Sequence, residues 1–256
     1  MNFKKVKIYT FADKVPSFIF WQYKSFKDHI QDDFEYIVMN NSSNPTLDFD
    51  IRNYCNSLAI QCIDVEKKDF SHGCFACAAP IQDCIDRFIS KDKDCISVII
   101  DSDVFSMKDF NFNQYMEGYD LGGIPQSREG GYYKVEYIWN CFMVIDNDTC
   151  PNLWALDVGC GTIWHAPCDV GGMMFFYLKN NPSCRWRRTS DTGQIGNTPE
   201  FIELFPESVR SEYVPEFRID IIEKSFIHYM AGSNWDNQSQ EYHRRKREFV
   251  KKILGV

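Results

Sequence analysis

One stretch decides the fold: Cys95-Ile96-Ser97-Val98-Ile99-Ile100-Asp101-Ser102-Asp103, an apolar run that ends in two carboxylates one residue apart. A short apolar run of this kind is typical of a strand buried on both faces of a parallel sheet. Such a strand carries Asp101 and Asp103 at its C-terminal end, where open α/β sheets bind their ligands. Carboxylate oxygens suit a hard divalent cation, Mg²⁺ or Mn²⁺, which keeps positions open for phosphate oxygens. The stretch therefore predicts an α/β fold with a candidate cation site.

Strands and helices alternate along the chain up to this stretch. The pattern predicts strands over 6–11, 34–39, 59–65 and 95–100, separated by helices over 17–29, 47–57 and 74–90. Such alternation is typical of a mainly parallel sheet flanked by helices. We therefore expect an α/β, Rossmann-like architecture with Asp101 and Asp103 at the edge where ligands bind.

The second half has a looser pattern. Residues 122–126 and 130–133 are rich in glycine and predict loops. A strand is expected over 137–145, a turn at 169–172 before a helix over 173–180, and a late strand over 224–230. A long helix over 237–254 should end at Gly255, with an apolar stripe packed onto the sheet and the charges of 243–247 in solvent. No repeat or linker interrupts the chain, so we expect one domain over 1–256.

Length, charge and cysteine content set the broad class. The chain has 256 residues and a formal net charge of −8 at pH 7, so a nucleic-acid partner is not expected. Its 11 cysteines are odd in number and scattered, and the one Cys-x-x-Cys pair, Cys74 and Cys77, has no second pair to complete a zinc site. No apolar h-region follows Met1, and no apolar run is as long as a membrane span requires. We expect a soluble protein of a reducing, cytoplasmic compartment.

Three segments resemble the GT-A glycosyltransferases, in particular small bacterial, phage and giant-virus members. The first, over 98–105, contains Asp101-Ser102-Asp103 and is similar to the aspartate motif of that family. The second is an apolar strand over 139–145, followed about 25 residues later by Asp169-Val170-Gly171-Gly172. The third, over 226–235, resembles the late His…Gly…Trp segment of the family. The resemblance implies a GT-A-like fold and transfer of a sugar from a nucleoside-diphosphate donor to a hydroxyl acceptor.

The resemblance also implies residue roles. For the metal, Mn²⁺ or Mg²⁺, the implied ligands are Asp101, Asp103 and His228. The implied donor-binding residues are Thr10, Phe11, Ala12, Asn40, His72, Asp101, Ser102 and Asp103. Asp169 and Asn140 are the implied catalytic residues, with Asp169 nearest the reacting carbon, where a carboxylate deprotonates an acceptor hydroxyl or stabilises an oxocarbenium-like transition state.

The same resemblance divides the chain and names its partners. Residues 1–104 would form the nucleotide-sugar-binding half and 105–256 the acceptor-binding half with the C-terminal helix. The donor would be a UDP- or GDP-sugar, and the acceptor a glycan, lipid or protein hydroxyl. The chain departs from the family pattern in two places: Cys141 replaces a glycine, and the lysine often found near the late tryptophan is absent. Arg187 and Arg188 are therefore candidates for contacting the diphosphate.

Other interpretations stay open. Leu156-Asp157-Val158-Gly159-Cys160-Gly161-Thr162 resembles the opening of the class I methyltransferase signature, which binds S-adenosylmethionine. A non-catalytic nucleotide-sugar-binding protein would keep the fold without turnover. Three further Asp-x-Asp triplets occur, at 48–50, 92–94 and 146–148, and the last also follows an apolar run. His228 could be a core histidine, Asn140 a partner for buried backbone, and Asp169 a turn former.

Overall fold

The computed structural model describes residues 3–65, 73–130, 133–189, 192–194, 198–230 and 238–256. The strands of this part are, in chain order, β1 (Lys5–Ala12), β2 (Phe34–Asn40), β3 (Gln61–Asp64), β4 (Cys95–Asp101), β5 (Val104–Ser106), β6 (Leu121–Gly130), β7 (Tyr133–Asp146), β8 (Gly161–Ile163), β9 (Ala166–Cys168), β10 (Trp186–Arg188), β11 (Gly193–Gln194), β12 (Asp220–Ile222) and β13 (Phe226–His228). The α-helices are α1 (Ser17–His29), α2 (Pro45–Ser57), α3 (Gly73–Cys84), α4 (Phe112–Tyr115), α5 (Met174–Asn180), α6 (Glu207–Arg210) and α7 (Gln240–Leu254). A π-helical turn, Ile85–Ile89, continues α3, and short 3₁₀ turns lie at Leu153–Ala155, Pro199–Leu204 and Pro215–Phe217.

The main sheet has the strand order β10-β6-β7-β4-β1-β2-β3. Strands β1, β2, β3 and β4 are parallel, and β7 alone runs against its two neighbours, β4 and β6. Strand β10 pairs with β6 in parallel. The predicted α/β class, a mixed and mainly parallel sheet flanked by helices, is confirmed.

Strand β4 lies inside this sheet because both of its faces are apolar. Its residues from Cys95 to Ile100 are all buried. Successive side chains enter opposite cores: Ile99 packs in the core with α3 and α5, whereas Val98 and Ile100 pack in the core with α1 and α2. The central position of β4 carries Asp101 to the carboxyl edge of the sheet.

A second, four-stranded sheet has the order β11-β12-β13-β5, with antiparallel pairs throughout. Strand β5 begins only two residues after β4 ends, so the turn at Ser102 and Asp103 joins the two sheets. Helix α7 packs against this part of the molecule through Phe249, Val250 and Ile253, in a third apolar cluster. Gly255 ends α7 in the left-handed conformation, as the sequence predicts.

Two expectations for the second half are wrong. The glycine-rich residues 122–126 are not a loop but part of β6, which also includes Gly130, and Tyr133 begins β7. A Cβ on Gly122 would lie 2.6 Å from Cε1 of Tyr115, so this glycine permits close packing of a ring on the strand. The charges of 243–247 are not all in solvent either, because His243 and Lys246 are 2% and 0% exposed.

The late strand is shorter than its predicted range, since only Phe226–His228 pairs with neighbouring strands. Among the described residues, no helix is long and apolar enough to cross a membrane.

Candidate metal centre

The candidate centre forms where the two sheets meet. Asp101 is the last residue of β4, and Asp103 lies in the turn before β5. Strand β13 pairs with β5 so that His228 lies opposite Val104, the residue after Asp103. The backbone N–H of Tyr229 donates to the carbonyl oxygen of Asp103 at 2.8 Å. Strand pairing therefore brings together two residues, Asp103 and His228, that lie far apart in the sequence.

The candidate ligand atoms of the centre lie close together. One atom each from Asp101, Asp103 and His228 lie within 4.8 Å of one another. The Nε2 atom of His228 is 3.3 Å from Oδ1 of Asp103. Adjacent ligands of an octahedral Mg²⁺ or Mn²⁺, each about 2.1 Å from the ion, lie about 3 Å apart. Two carboxylates and one imidazole fit such a cation and leave the remaining positions for other oxygen ligands.

Burial and the neighbouring carboxylate disfavour a negative charge on Asp101. Asp103 and His228 are each 4% exposed. Burial, and next the neighbouring carboxylate of Asp103, raise the pKa of Asp101 to about 7. Burial alone would lower the pKa of His228, but the facing carboxylates, Asp103 first, raise it above its ordinary value. Asp101 thus keeps its proton to a higher pH for lack of nearby positive charge, which a divalent cation would supply.

Gln22 fixes the turn that carries the two acids. Its Nε2 donates to the carbonyl oxygens of Asp101 at 2.8 Å and Val104 at 2.6 Å, and its Oε1 accepts from the Tyr36 hydroxyl at 2.7 Å. Gln22 is fully buried on α1. Sequence reasoning missed this residue, although a polar side chain beside Trp21 on the apolar face of α1 was a usable signal.

Asn140, one of the two predicted catalytic residues, lies beside the centre. It is 6% exposed on β7, and its Nδ2 donates to Oδ1 of Asp101 at 3.5 Å. The preceding residue, Trp139, packs its ring against His228 with a centroid separation of 5.4 Å. Asn140 therefore contacts a candidate metal ligand, and Trp139 covers another.

Asp169, the other predicted catalytic residue, is exposed and lies near enough to Asp101 for their charges to interact. Its negative charge is among the causes that raise the pKa of Asp101, after burial, Asp103 and the opposing effect of His228. The Tyr137 hydroxyl accepts from the backbone N–H of Asp169 at 3.0 Å, and Oδ1 of Asp169 accepts from the Val170 N–H at 2.8 Å. Gly171, two residues after Asp169, has a φ of 93°, so the predicted turn is present. The two hydrogen bonds hold it in place.

The predicted donor-binding residues of β1 and β2 lie at the same sheet edge. Thr10, Phe11 and Ala12 end β1, and Phe11 is in register with Asp101. Asn40 ends β2 opposite Ala12. The side chain of Asn40 serves the fold, because its Nδ2 donates to Asp48 at 2.8 Å and its Oδ1 accepts from the Ser42 N–H at 3.2 Å. Ser102 lies half-buried in the turn, and His72 falls outside the described residues.

The competing motifs do not form comparable sites. Asp146 ends β7 beside the start of β4, at the opposite edge of the sheet, and Asp148 lies in the turn that follows; both form ion pairs with Lys4. The methyltransferase-like segment runs from the end of the 3₁₀ turn Leu153–Ala155 into the short strand β8. Its glycines therefore neither follow a strand of the main sheet nor open a helix, as that signature requires.

The two arginine candidates for a diphosphate are engaged on the edge strand β10. Arg187 donates to the Tyr115 carbonyl at 2.7 Å and lies over the ring of the same residue. Arg188 donates to Glu136 at 2.8 Å. Each guanidinium group therefore already has a partner at this edge of the sheet.

Comparisons with known proteins identify the fold. No family model and no curated protein matches the sequence of this chain. In structure, 181 chains match it. One is the apo structure of WbbM, a bifunctional glycosyltransferase, with a TM-score of 0.52 and 12% sequence identity. The match covers 98% of this chain and 52% of the WbbM chain, so this chain spans about half of that protein's length. The likeness shows a fold that also occurs in a glycosyltransferase structure.

Proposed function

We propose that this chain transfers a sugar from a nucleoside-diphosphate donor to a hydroxyl acceptor, with Mn²⁺ or Mg²⁺ held by Asp101, Asp103 and His228. One observation carries the proposal: the three side chains converge at the carboxyl end of the central strand, with ligand atoms within 4.8 Å of one another. A shared fold with a glycosyltransferase structure supports it. A cation at this point supplies positive charge to a departing diphosphate.

The residues of this chain have distinct roles in the proposal. Asp103 binds the cation directly, and Asp101 contacts both the cation and the ribose. Thr10, Phe11 and Ala12, at the end of β1, and Asn40, at the end of β2, are assigned to the nucleoside part of the donor. His72 is a further donor-binding residue. Because Asn40 is fully buried and its side chain is hydrogen-bonded to Asp48 and Ser42, it contributes by shaping the end of β2. Gln22 holds the backbone of the turn between β4 and β5 at both ends, so the two acids are presented from a fixed turn.

Asp169 is the proposed residue nearest the reacting carbon. It is exposed, yet close enough for its charge to act on Asp101. With Oδ1 accepting from the Val170 N–H, the carboxylate has a fixed orientation. A carboxylate so placed accepts a proton from an acceptor hydroxyl or stabilises positive charge on the sugar. Asn140, which donates to Asp101, keeps that acid oriented toward the donor.

The experiment compares Asp103→Asn with the wild-type chain. Thermal shifts are measured with UDP and GDP, each with and without Mn²⁺, and with S-adenosylmethionine. Asp103→Asn keeps the shape of the side chain and removes its charge, so we expect the metal-dependent shift to disappear while the unliganded melting temperature is retained. Asp50→Asn is the matched control, because Asp50 belongs to the Asp-x-Asp triplet on α2, away from the centre.

Several outcomes would contradict the proposal. A nucleotide shift that is the same in Asp103→Asn and the wild type would remove the metal site from donor binding. Stabilisation by S-adenosylmethionine alone would favour the methyltransferase interpretation. If the wild type binds a nucleoside diphosphate with Mn²⁺ but hydrolyses and transfers no sugar from any UDP- or GDP-sugar, the chain is a binding protein.

We also propose the cytoplasm as its compartment and a glycan, lipid or protein hydroxyl as its acceptor.

A further inference from the structure

Asp220 faces His228 from the neighbouring strand. The two residues are in register in the antiparallel pair of β12 and β13, and directly opposite residues present their side chains on one face of a sheet. Asp220 is 8% exposed and His228 is 4% exposed. Sequence reasoning did not single out Asp220, which lies in an apolar segment far from the aspartate motif.

The imidazole of His228 lies between two carboxylates. Its Nε2 is 3.3 Å from Oδ1 of Asp103, and its Nδ1 is 3.8 Å from Oδ2 of Asp220. Within the described part of the chain, neither Nδ1 of His228 nor Oδ1 of Asp220 has a hydrogen-bond partner. Buried polar atoms are nearly always paired, and unpaired ones call for an explanation.

Metal binding through Nε2 explains this arrangement. A neutral imidazole that gives the lone pair of Nε2 to a cation must carry its proton on Nδ1. A carboxylate beside Nδ1 favours that tautomer, orients the ring and makes Nε2 a better ligand. Asp220 is the acid that faces Nδ1 of His228.

We propose that Asp220 is a positioning residue that holds His228 in the Nδ1–H tautomer for metal binding. The inference rests on the proposed function, because it takes the cation site as given. Asp220 would touch neither the donor nor the cation and would act through His228. The charge of Asp220 also acts on the buried Lys246 of α7. The alternative that the test must distinguish is a purely structural role of Asp220 as a partner of that lysine.

The test measures Mn²⁺ affinity by electron paramagnetic resonance in the absence of donor. The variants are Asp220→Asn, which keeps the shape and an acceptor oxygen, and Asp220→Ala, which removes both. Loss of a carboxylate behind a ligating histidine typically weakens metal affinity about 10- to 100-fold. We expect Asp220→Ala to fall in this range and Asp220→Asn to lie between it and the wild type. Asp120→Asn, a buried acid paired with Arg185 before β6, should leave Mn²⁺ affinity unchanged.

A second readout reports the tautomer itself. Ring ¹⁵N shifts of histidine in Mg²⁺-loaded protein should show the Nδ1–H form of His228 in the wild type and its loss in Asp220→Ala. If both Asp220 variants lose stability but bind Mn²⁺ as the wild type does, Asp220 is only a partner of Lys246 and the inference is overturned. If the wild type binds no Mn²⁺, the proposed function fails and the inference fails with it.

Discussion

Replacing Lys246 by methionine should abolish a rise in stability between about pH 7 and pH 10. Lys246 is fully buried on α7 and donates to the carbonyl oxygens of Tyr229 and Arg218. Burial lowers the pKa of its ammonium from 10.5 to about 7, against the opposing effects of Asp103 and Asp220. A methionine of similar length fills the same space without a charge.

The sign follows from proton binding in the two states. Below about pH 7 the lysine is charged in both the folded and the unfolded chain, so the full cost of burying the charge is present. Between about pH 7 and pH 10 the folded chain releases the proton while the unfolded chain keeps it, and the free energy of unfolding rises. A difference of about 3.5 pKa units corresponds to about 5 kcal/mol, of which about 3 kcal/mol falls between pH 6 and pH 9.5.

Urea unfolding at pH 6 and pH 9.5, with a chelator present, measures this effect. Relative to the wild type, Lys246→Met should lose about 3 kcal/mol more stability at pH 9.5 than at pH 6. Other titrating groups are common to both proteins and cancel in the difference. Lys252→Met controls for loss of a lysine from the same helix, since Lys252 is exposed and paired with Glu212. A difference between wild type and Lys246→Met that stays the same at both pH values would refute the reasoning.

Two further predictions concern packing. Gly171→Ala places a Cβ 2.2 Å from the carbonyl oxygen of Ile138, at a backbone φ of 93°. The free energy of unfolding should fall by more than the backbone strain of about 1–3 kcal/mol alone. Donor turnover should also weaken, because the adjacent turn shifts. Gly255→Ala, with a φ of 65° and open space around it, should show the strain alone, and equal costs for the two glycines in urea unfolding would contradict the close contact. Phe226→Ala removes a fully buried ring at the junction of the two sheets and should lower the free energy of unfolding, measured in urea, by about 3–5 kcal/mol. A loss below about 1 kcal/mol would show that the ring is not packed as described.

The sequence was informative where local patterns decide the structure. Helix α1 matches its predicted range, Ser17–His29, because Phe18, Trp21 and Phe26 recur at helical spacing. The range of β4 was predicted to within one residue because an apolar run bounded by acids leaves little choice. The prediction of a loop over 122–126 was wrong because Gly122 does not make a turn. It lies in β6 and leaves room for the Tyr115 ring.

The burial of two polar residues on α7 could have been predicted from their spacing in the sequence. His243, Lys246, Val250 and Ile253 recur at intervals of three and four residues, which places both polar residues on the apolar stripe. The basic run around them favoured a solvated face, yet the long lysine stem is apolar and its amine finds backbone carbonyls inside the protein.

The candidate centre was predicted in part. Asp101 and Asp103 follow from a local pattern, and His228 follows from a resemblance. Asp220 depends on the β12–β13 hairpin, whose turn places Glu223 and Lys224 in the left-handed conformation without a glycine or asparagine to signal it. The pairing of distant segments has no local sequence signal. The position of Asp220 beside His228 could therefore not be predicted from the sequence.

Anomalous scattering from Mn²⁺ in crystals grown with UDP or GDP would test the central claim most directly. We predict one strong peak bonded to Asp103 and His228, near Asp101, with the diphosphate of the nucleotide on its open side. A nucleotide bound at the ends of β1 and β4 without a manganese peak, or a peak at another group of acids, would contradict the account.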